Sequence, residues 1–512
     1  MKNNFLKLLF SLVLILSVSC TDDLNTKPLV ELSLDELLAQ DPNAVEGILS
    51  RLYASFALSG ADGPGSSDIS DDAGESPFLR GIVNLQDFTA DAMKNRWGDN
   101  GLDQLTTASD WTADNKFFRY MYNRIFFTIP QCNNLLAILP NVDVENKDVI
   151  ISEVRFIRGL AYYYLIDVFG KGVLATEDNF GQTEPLEEAT RQELFDYLEQ
   201  ELLDIEPLLL TSNTYGRATK GAAQMLLAKL YLNAEVYTGT PRWDDALTYA
   251  SKVINEGPYD LDPDFVHIFS ADNNNSSEII LPLIADAVVS QSYGNTTYIV
   301  NGSLNAETIP LAEFGATEGW GGHRSTKAWY SLFGDLDTST DVRASLFWTS
   351  GHNYEMNDYR EWTDGYPSVK FRNTNFSGTS LPSSFSSTDF PLFRLADAYL
   401  MWAEAQIRKD GTPNSTSLGY VNDVRTRSNA DPIDMADLTL DFIINERGRE
   451  LNLEGHRRSD LIRFGMFTGG NYLWPWKGNI QNGAAIPDTY KLFPIPSSAL
   501  QANPNLTQNP GF

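Results

Sequence analysis

Apolar residues recur at helical spacing in several separate stretches of the chain. In 152–169, Val154, Ile157, Leu160, Ala161, Tyr164, Leu165 and Val168 fall on one stripe. Thr190 with Glu193 has the form of a capping box and opens a helix running to about Leu209. The stretch 218–237 is helical and rich in Ala and Leu. Thr240-Pro241 offers an N-cap and a first-position proline, after which Trp243, Ala246, Leu247, Ala250, Val253 and Ile254 make one face. The pattern returns over 392–408 through Ala396, Leu400, Ala403 and Ile407, then over 418–428, and a charge-rich helix is predicted over 440–454.

These segments pair as helix hairpins, 152–169 with 190–209, 218–237 with 242–255, and 391–408 with 418–428. Small residues such as Ala222, Ala228 and Ala246 allow close helix approach. The arrangement is tetratricopeptide-like, with irregular spacing and a long first linker. The stretches 60–115, 257–390 and 465–512 hold most of the Gly, Pro, Asn and Ser. Long loops in a compact domain commonly carry function. No linker divides the chain. The expected fold is mainly α: one domain over 20–512, with a helical-hairpin scaffold and a large loop-rich ligand-binding face.

The N-terminus departs from this pattern. Lys2 and Lys7 precede an apolar run over 8–18 that is too short for a resident membrane helix, and the run ends Ser17-Val18-Ser19-Cys20. This reads as a lipoprotein signal peptide over 1–19, with Cys20 as the lipid-carrying first residue. Ser17 stands where a branched apolar residue is preferred, and an ordinary secretory signal is the alternative. Several acyl chains on Cys20 would hold the protein firmly on a membrane. Asp22-Asp23 follows at once. The second cysteine, Cys132, has no basic or His neighbour in sequence and is expected to be a buried, inert thiol.

The formal net charge of −30, from 38 Lys+Arg against 68 Asp+Glu, disfavours nucleic acid and anionic membrane surfaces as partners. HExxH, GxSxG, Walker A and CxxC motifs are absent from the sequence. His267, His323, His352 and His456 are scattered, without ligand spacing, and read as surface or hydrogen-bonded residues. Asp335, Asp337 and Asp341, and the run 272–278, could bind a hard cation, but solvated acidic loops are the favoured reading. The charges from Glu446 to Arg463 recur at three and four residues, which favours structural ion pairs within a helix.

Aromatic residues in loops are more informative. Trp97 lies in the turn-rich run Arg96-Trp97-Gly98-Asp99-Asn100-Gly101, Trp320 in Glu318-Gly319-Trp320-Gly321-Gly322, and Tyr293 in Ser292-Tyr293-Gly294-Asn295. Such rings either stack on the apolar face of a sugar or plug the core beneath their own loop, and the residues alone leave both open. Trp474 and Trp476 read as packing residues.

Several motifs, in order along the chain, resemble the SusD/RagB family. They are Glu153-Val154-Arg155-Phe156-Ile157-Arg158-Gly159-Leu160-Ala161-Tyr162-Tyr163-Tyr164, Gly216-Arg217-Ala218-Thr219-Lys220-Gly221, Phe390-Pro391-Leu392-Phe393-Arg394-Leu395-Ala396-Asp397-Ala398-Tyr399-Leu400, Glu454-Gly455-His456-Arg457-Arg458-Ser459-Asp460-Leu461-Ile462-Arg463-Phe464-Gly465, and the tail Gln508-Asn509-Pro510-Gly511. The resemblance spans 20–512. It implies a non-catalytic, glycan-binding lipoprotein of the outer membrane, facing the cell exterior and partnered by a SusC-like TonB-dependent transporter. Within the family the chain is most similar to its starch-binding type, as in Glu75-Ser76-Pro77-Phe78-Leu79-Arg80 and Tyr231-Leu232-Asn233-Ala234-Glu235. That similarity implies an α-glucan site of Arg80, Trp97, Asn100, Tyr293 and Trp320. A further tryptophan of the family's arc falls at Asn95, so the arc is one ring smaller. The loop near Asp272 is shorter than the family's metal loop, so calcium is not carried over and no cofactor is expected.

Overall fold

The computed structural model describes residues 34–512 except 42, 71, 180, 380 and 381. The signal peptide expected over 1–19 and the expected lipid-carrying Cys20 lie outside the described residues. The Lys116–Ile138 helix packs on Lys147–Tyr164, which packs on Arg191–Ile205. Lys220–Leu232, Trp243–Glu256, Leu395–Asp410 and Ser415–Arg427 follow, each against the one before. The fold is therefore mainly helical, and the three expected hairpins are all in contact.

Local chemistry explains most of the boundaries. Both halves of the Thr190–Glu193 capping box form. Thr219 caps the next helix by accepting from the Ala222 N–H at 3.2 Å. The Thr240-Pro241 cap does not form, and that helix begins at Trp243 behind Arg242. The helix expected over 391–408 begins only at Leu395. Phe390–Arg394 is a strand, paired antiparallel with Ile279–Leu283, and every residue of both strands is buried. A short run that is apolar on both faces has no period to betray it. Lys116–Ile138 escaped the pattern for a similar reason, since it carries Pro130 inside and buries residues around most of its circumference.

The stretch 60–115 is less loop-like than its composition suggests. Phe78–Ile82 is helical and runs directly into a π-helical segment, Val83–Phe88, with every residue of both buried. The Met93–Asn95 strand then pairs antiparallel with His323–Ser325, Asn95 opposite His323. One apolar cluster runs from Leu38 to Ile495 and joins the scaffold to the loops. Cys132 lies within it, and burial pushes its thiol up to about 12, so little thiolate exists at neutral pH.

The charged stretch 446–463 does pair its charges, but mostly between segments and not within its helices. Arg394 donates to Glu278, Glu450 and Glu454 at 2.6–2.8 Å. Arg343 reaches Asp341, Glu446 and Glu450 at 2.7–2.9 Å. Arg447 bridges Asp397 and Asp460, and Arg463 bridges Glu404 and Asp460. Only Arg449–Glu446 and Arg463–Asp460 are one-turn pairs within this stretch. The reason is burial: a charge taken out of water must find its partner wherever the fold supplies one. The same network corrects the reading of the acidic loops, because Asp341 and Glu278 are buried partners of arginines and not solvated.

Candidate functional site

The site grows from four segments: the Phe78–Ile82 helix, the turn after Met93–Asn95, the loop before the Thr296–Ser303 helix, and the loop before His323–Ser325. Asn295 caps the Thr296–Ser303 helix by accepting from the Thr297 N–H at 2.9 Å. At the other end, carbonyls of the last turn and of the Leu304 cap accept from the Trp320 loop. The Trp320, Gly321 and Gly322 N–H groups donate to the carbonyls of Asn301, Leu304 and Gly302 at 2.6, 2.8 and 2.7 Å. The Arg96 N–H in turn donates to the Gly322 carbonyl at 3.1 Å, which joins the Trp97 turn to the same loop.

Glycine is required where this loop passes beneath Trp97. A Cβ at Gly322 would lie 2.3 Å from Trp97 Cε2, and Gly321 has φ +56°. The glycines around Trp320 therefore let the backbone approach the Trp97 indole closely.

The two tryptophans are brought together. Their ring centroids lie 6.4 Å apart at 57°, and Trp97 Nε1 donates to the Trp320 carbonyl at 3.0 Å. Both rings are half-buried. Behind Trp97 stand Tyr298, at 5.8 Å and edge-on, and His323, at 5.3 Å. Asn95 also steadies the turn, its Oδ1 accepting from the Trp97 N–H at 2.8 Å, while its side chain is buried.

Arg80 is the charged element of the site. Its guanidinium sits 4.5 Å from the Tyr298 ring centroid and 5.8 Å from that of Trp97. It donates to the Gly74 carbonyl at 3.1 Å, and its Nη2 lies 3.5 Å from Glu75 and 3.9 Å from Asp99. Burial raises the Glu75 carboxyl, partly offset by Lys116 and Arg80, and Glu75 is also paired with Lys116. The Arg80 N–H donates to the Gly294 carbonyl at 3.0 Å, which ties the Tyr293 loop to the start of the Phe78–Ile82 helix. Tyr293 itself is 41% exposed. Asn100 is exposed on the turn between Asp99 and Gly101.

Arg80, Trp97, Tyr293 and Trp320 thus share one neighbourhood, and Asn100 lies on the turn that carries Trp97. The sequence reading missed the support beneath them. Tyr298 donates to Asn84 Oδ1 at 2.7 Å and forms the floor under both Arg80 and Trp97. His323, expected at the surface or hydrogen-bonded, is fully buried, and neither ring nitrogen has a hydrogen-bond partner. Burial, with Arg80 and Arg324 nearby, holds it well below the usual histidine range and therefore neutral. His456 is half-buried, its Nδ1 3.1 Å from the Lys229 Nζ. Among the described residues no group of three or more His, Cys, Asp or Glu is placed to hold a metal ion. Asp272 Oδ1 accepts from the Phe376 N–H at 2.8 Å.

The arrangement offers two tilted apolar rings, a fixed cation behind them and amide and carboxylate groups at the rim. Comparison with known proteins places it in a family. Residues 342–512 match the model described as "SusD family", and residues 73–232, which include Arg80, Trp97 and Asn100, match "Starch-binding associating with outer membrane". The chain is 33% identical to the starch-binding protein SusD of Bacteroides thetaiotaomicron, with 100% of each chain covered. A SusD superfamily protein from Parabacteroides distasonis superposes with a TM-score of 0.70 at 22% identity, covering 94% of this chain and 100% of that one. Surface glycan-binding protein A from Bacteroides thetaiotaomicron, solved in complex with laminarihexaose, gives 0.69 at 20% identity, covering 91% and 99%. With motifs in order along the chain and 33% identity to one member over the full length, this protein belongs to the SusD family.

Proposed function

We propose that this protein captures starch-type α-glucan chains at the cell surface and delivers them to a TonB-dependent outer-membrane transporter. The observation that carries the reading is the joined pair Trp97–Trp320, half-buried on loops, with Arg80 behind it and Tyr293 on the adjoining loop. Sugar faces are apolar and their edges are hydroxylated, so tilted rings with a directed Arg and Asn suit them. A helical α-1,4-glucan is curved, and an arc of rings matches its turn better than a flat platform does. Asn100 donates to hydroxyls at the rim, and Arg80 donates from behind the rings. The net charge of −30 is immaterial to a neutral ligand. The 33% identity to a starch-binding protein supports the choice of glucan.

Lipid on Cys20 holds the protein on the outer membrane, facing outwards, and residues 20–512 act as one unit. No catalytic step and no cofactor belong to this reading, so incubation with amylopectin leaves the number of reducing ends unchanged. Titration with maltoheptaose tests it: wild type binds and Trp320→Ala binds more weakly. No binding by wild type, or full binding by the variant, sinks the assignment. A second reading, a different polysaccharide, is favoured by the relative that holds laminarihexaose. Electrophoresis through gels loaded with different glucans separates the two, because retardation by starch alone supports the first.

A further inference from the structure

Tyr293 is not the last ring at its edge of the site. The Phe385 ring lies 5.0 Å from it, tilted by 46°, and Phe385 is itself only half-buried. Its position follows from the run 383–388, which lies antiparallel along the Thr296–Ser303 helix. Thr296 Oγ1 donates to the Thr388 carbonyl, the Ser386 N–H donates to Thr297 Oγ1 at 3.0 Å, and Asn301 Nδ2 donates to the Ser384 carbonyl at 3.0 Å. Asn301 also accepts from the Trp320 N–H.

The run meets the Trp320 loop a second time, since the Thr317 N–H donates to the Ser383 carbonyl at 3.1 Å. Asn373 grips it from behind, donating to the Phe385 carbonyl at 3.1 Å and accepting from the Ser387 N–H at 2.7 Å. Phe385 therefore sits on a fixed strip between the Tyr293 loop and the Trp320 loop. Beside it the hydroxyls of Ser384 and Thr317 lie 2.9 Å apart and exposed.

We infer that Phe385 is a further sugar-contacting ring of the glycan face, lying between Tyr293 and Trp320, with the Ser384 and Thr317 hydroxyls at its polar margin. The inference rests on the glycan reading of the site. A half-exposed phenyl beside a 41% exposed tyrosine is a preformed apolar platform, ready for a sugar face at little ordering cost.

Calorimetric titration of purified wild type, Trp320→Ala, Phe385→Ala and Phe385→Leu with maltoheptaose and maltotriose tests this. A ring contact of ordinary strength predicts about 3- to 10-fold weaker maltoheptaose binding by Phe385→Ala. The advantage of the longer sugar over the shorter should narrow, because a longer chain reaches more of the platform. Phe385→Leu keeps the apolar bulk and loses the ring, so it decides the matter if the alanine variant melts early. Weakened binding by the leucine variant supports the role. Wild-type affinity in a folded Phe385 variant, with Trp320→Ala impaired, overturns this inference and leaves the proposed function standing. Absence of wild-type binding overturns both.

Discussion

Removing the central ring is the sharpest test of how the site is built. Trp97→Ala deletes a hydrogen bond of 3.0 Å to the Trp320 carbonyl, an edge contact with Tyr298 at 5.8 Å and a cation–π contact with Arg80 at 5.8 Å. The hydrogen bond contributes about 1 kcal/mol and the cation–π contact about 0.5–1 kcal/mol at a half-exposed site. These terms fall on the folded protein, so a modest drop in melting temperature is expected. The sugar contact itself adds about 0.5–1.5 kcal/mol. Freeing the Trp320 backbone from its donor loosens the second ring, which raises the expected binding loss to about 1–2 kcal/mol, or roughly 5- to 30-fold in Kd. Trp97→Phe keeps a smaller ring and loses the indole donor, so it should fall between wild type and alanine. Calorimetric titration with maltoheptaose, paired with a thermal melt of each variant, measures both quantities. Binding by Trp97→Ala within twofold of wild type refutes the placement of this ring in the ligand face. A phenylalanine variant as weak as alanine refutes the claim that ring contact outweighs the indole donor.

Three further outcomes follow from the geometry. Gly322→Ala puts a Cβ 2.3 Å from Trp97 Cε2, so the indole must move; weaker glucan binding and an altered tryptophan emission spectrum are expected, and wild-type values for both would refute the close approach. Arg394→Leu leaves Glu278, Glu450 and Glu454 short of a buried partner, at a cost of about 3–5 kcal/mol in denaturant unfolding, and a loss under about 1 kcal/mol would show that the network relaxes around the gap. Burial alone would raise Glu446 and Asp460, but their arginine neighbours prevail and hold both at about 2; Glu404, Glu454 and Asp397 are lowered for similar reasons. Their folded values lie below the unfolded ones, so the stability they lend is complete above about pH 5 and is lost as pH falls towards 2. Neutral histidines bring an earlier loss that begins below about pH 6.5, since His323, His352 and His456 are all held below the ordinary value by burial. Denaturation midpoints should therefore keep falling between about pH 5 and pH 2 as the carboxylates protonate, and a flat profile over that window would contradict it.

Much of the scaffold was legible because its signals are local. Thr190 and Glu193 meet within one turn, and the stripe from Val154 to Val168 needs no distant partner to be recognised. Phe390–Arg394 was misread because both its faces are covered, one fact that periodicity cannot report. The Thr296–Ser303 helix went unread because its Thr-Thr-Tyr-Ile-Val opening favours a strand by propensity, and the Asn295 cap with the surrounding core decides otherwise. At the site, Trp97 and Trp320 stood out through their glycine-rich turns. Tyr298 and His323 did not, because their role depends on contacts across more than two hundred positions. The arginine network was anticipated in kind but not in partners, since charge spacing along a helix says nothing about Glu278 or Asp341.

The pairing of Ile279–Leu283 with Phe390–Arg394 has a consequence for how such proteins diversify. The chain leaves the helical array after Glu256 and rejoins it at Leu395, and the two helices on either side of that excursion pack directly together. The ladder fastens the neck of the excursion, so everything from 284 to 389 hangs from a closed stem. Lengthening a closed loop costs only about 0.6 kcal/mol per doubling. Tyr293, Trp320 and Phe385 all lie beyond the stem, whereas Arg80 and Trp97 come from the scaffold side. The excursion carries one half of the face against a half-site on the scaffold side, and its Arg343 and Lys370 neutralise the scaffold's buried Glu446, Glu450 and Glu454, so a chimaera cut at the stem should keep its fold only when the incoming segment brings both cations.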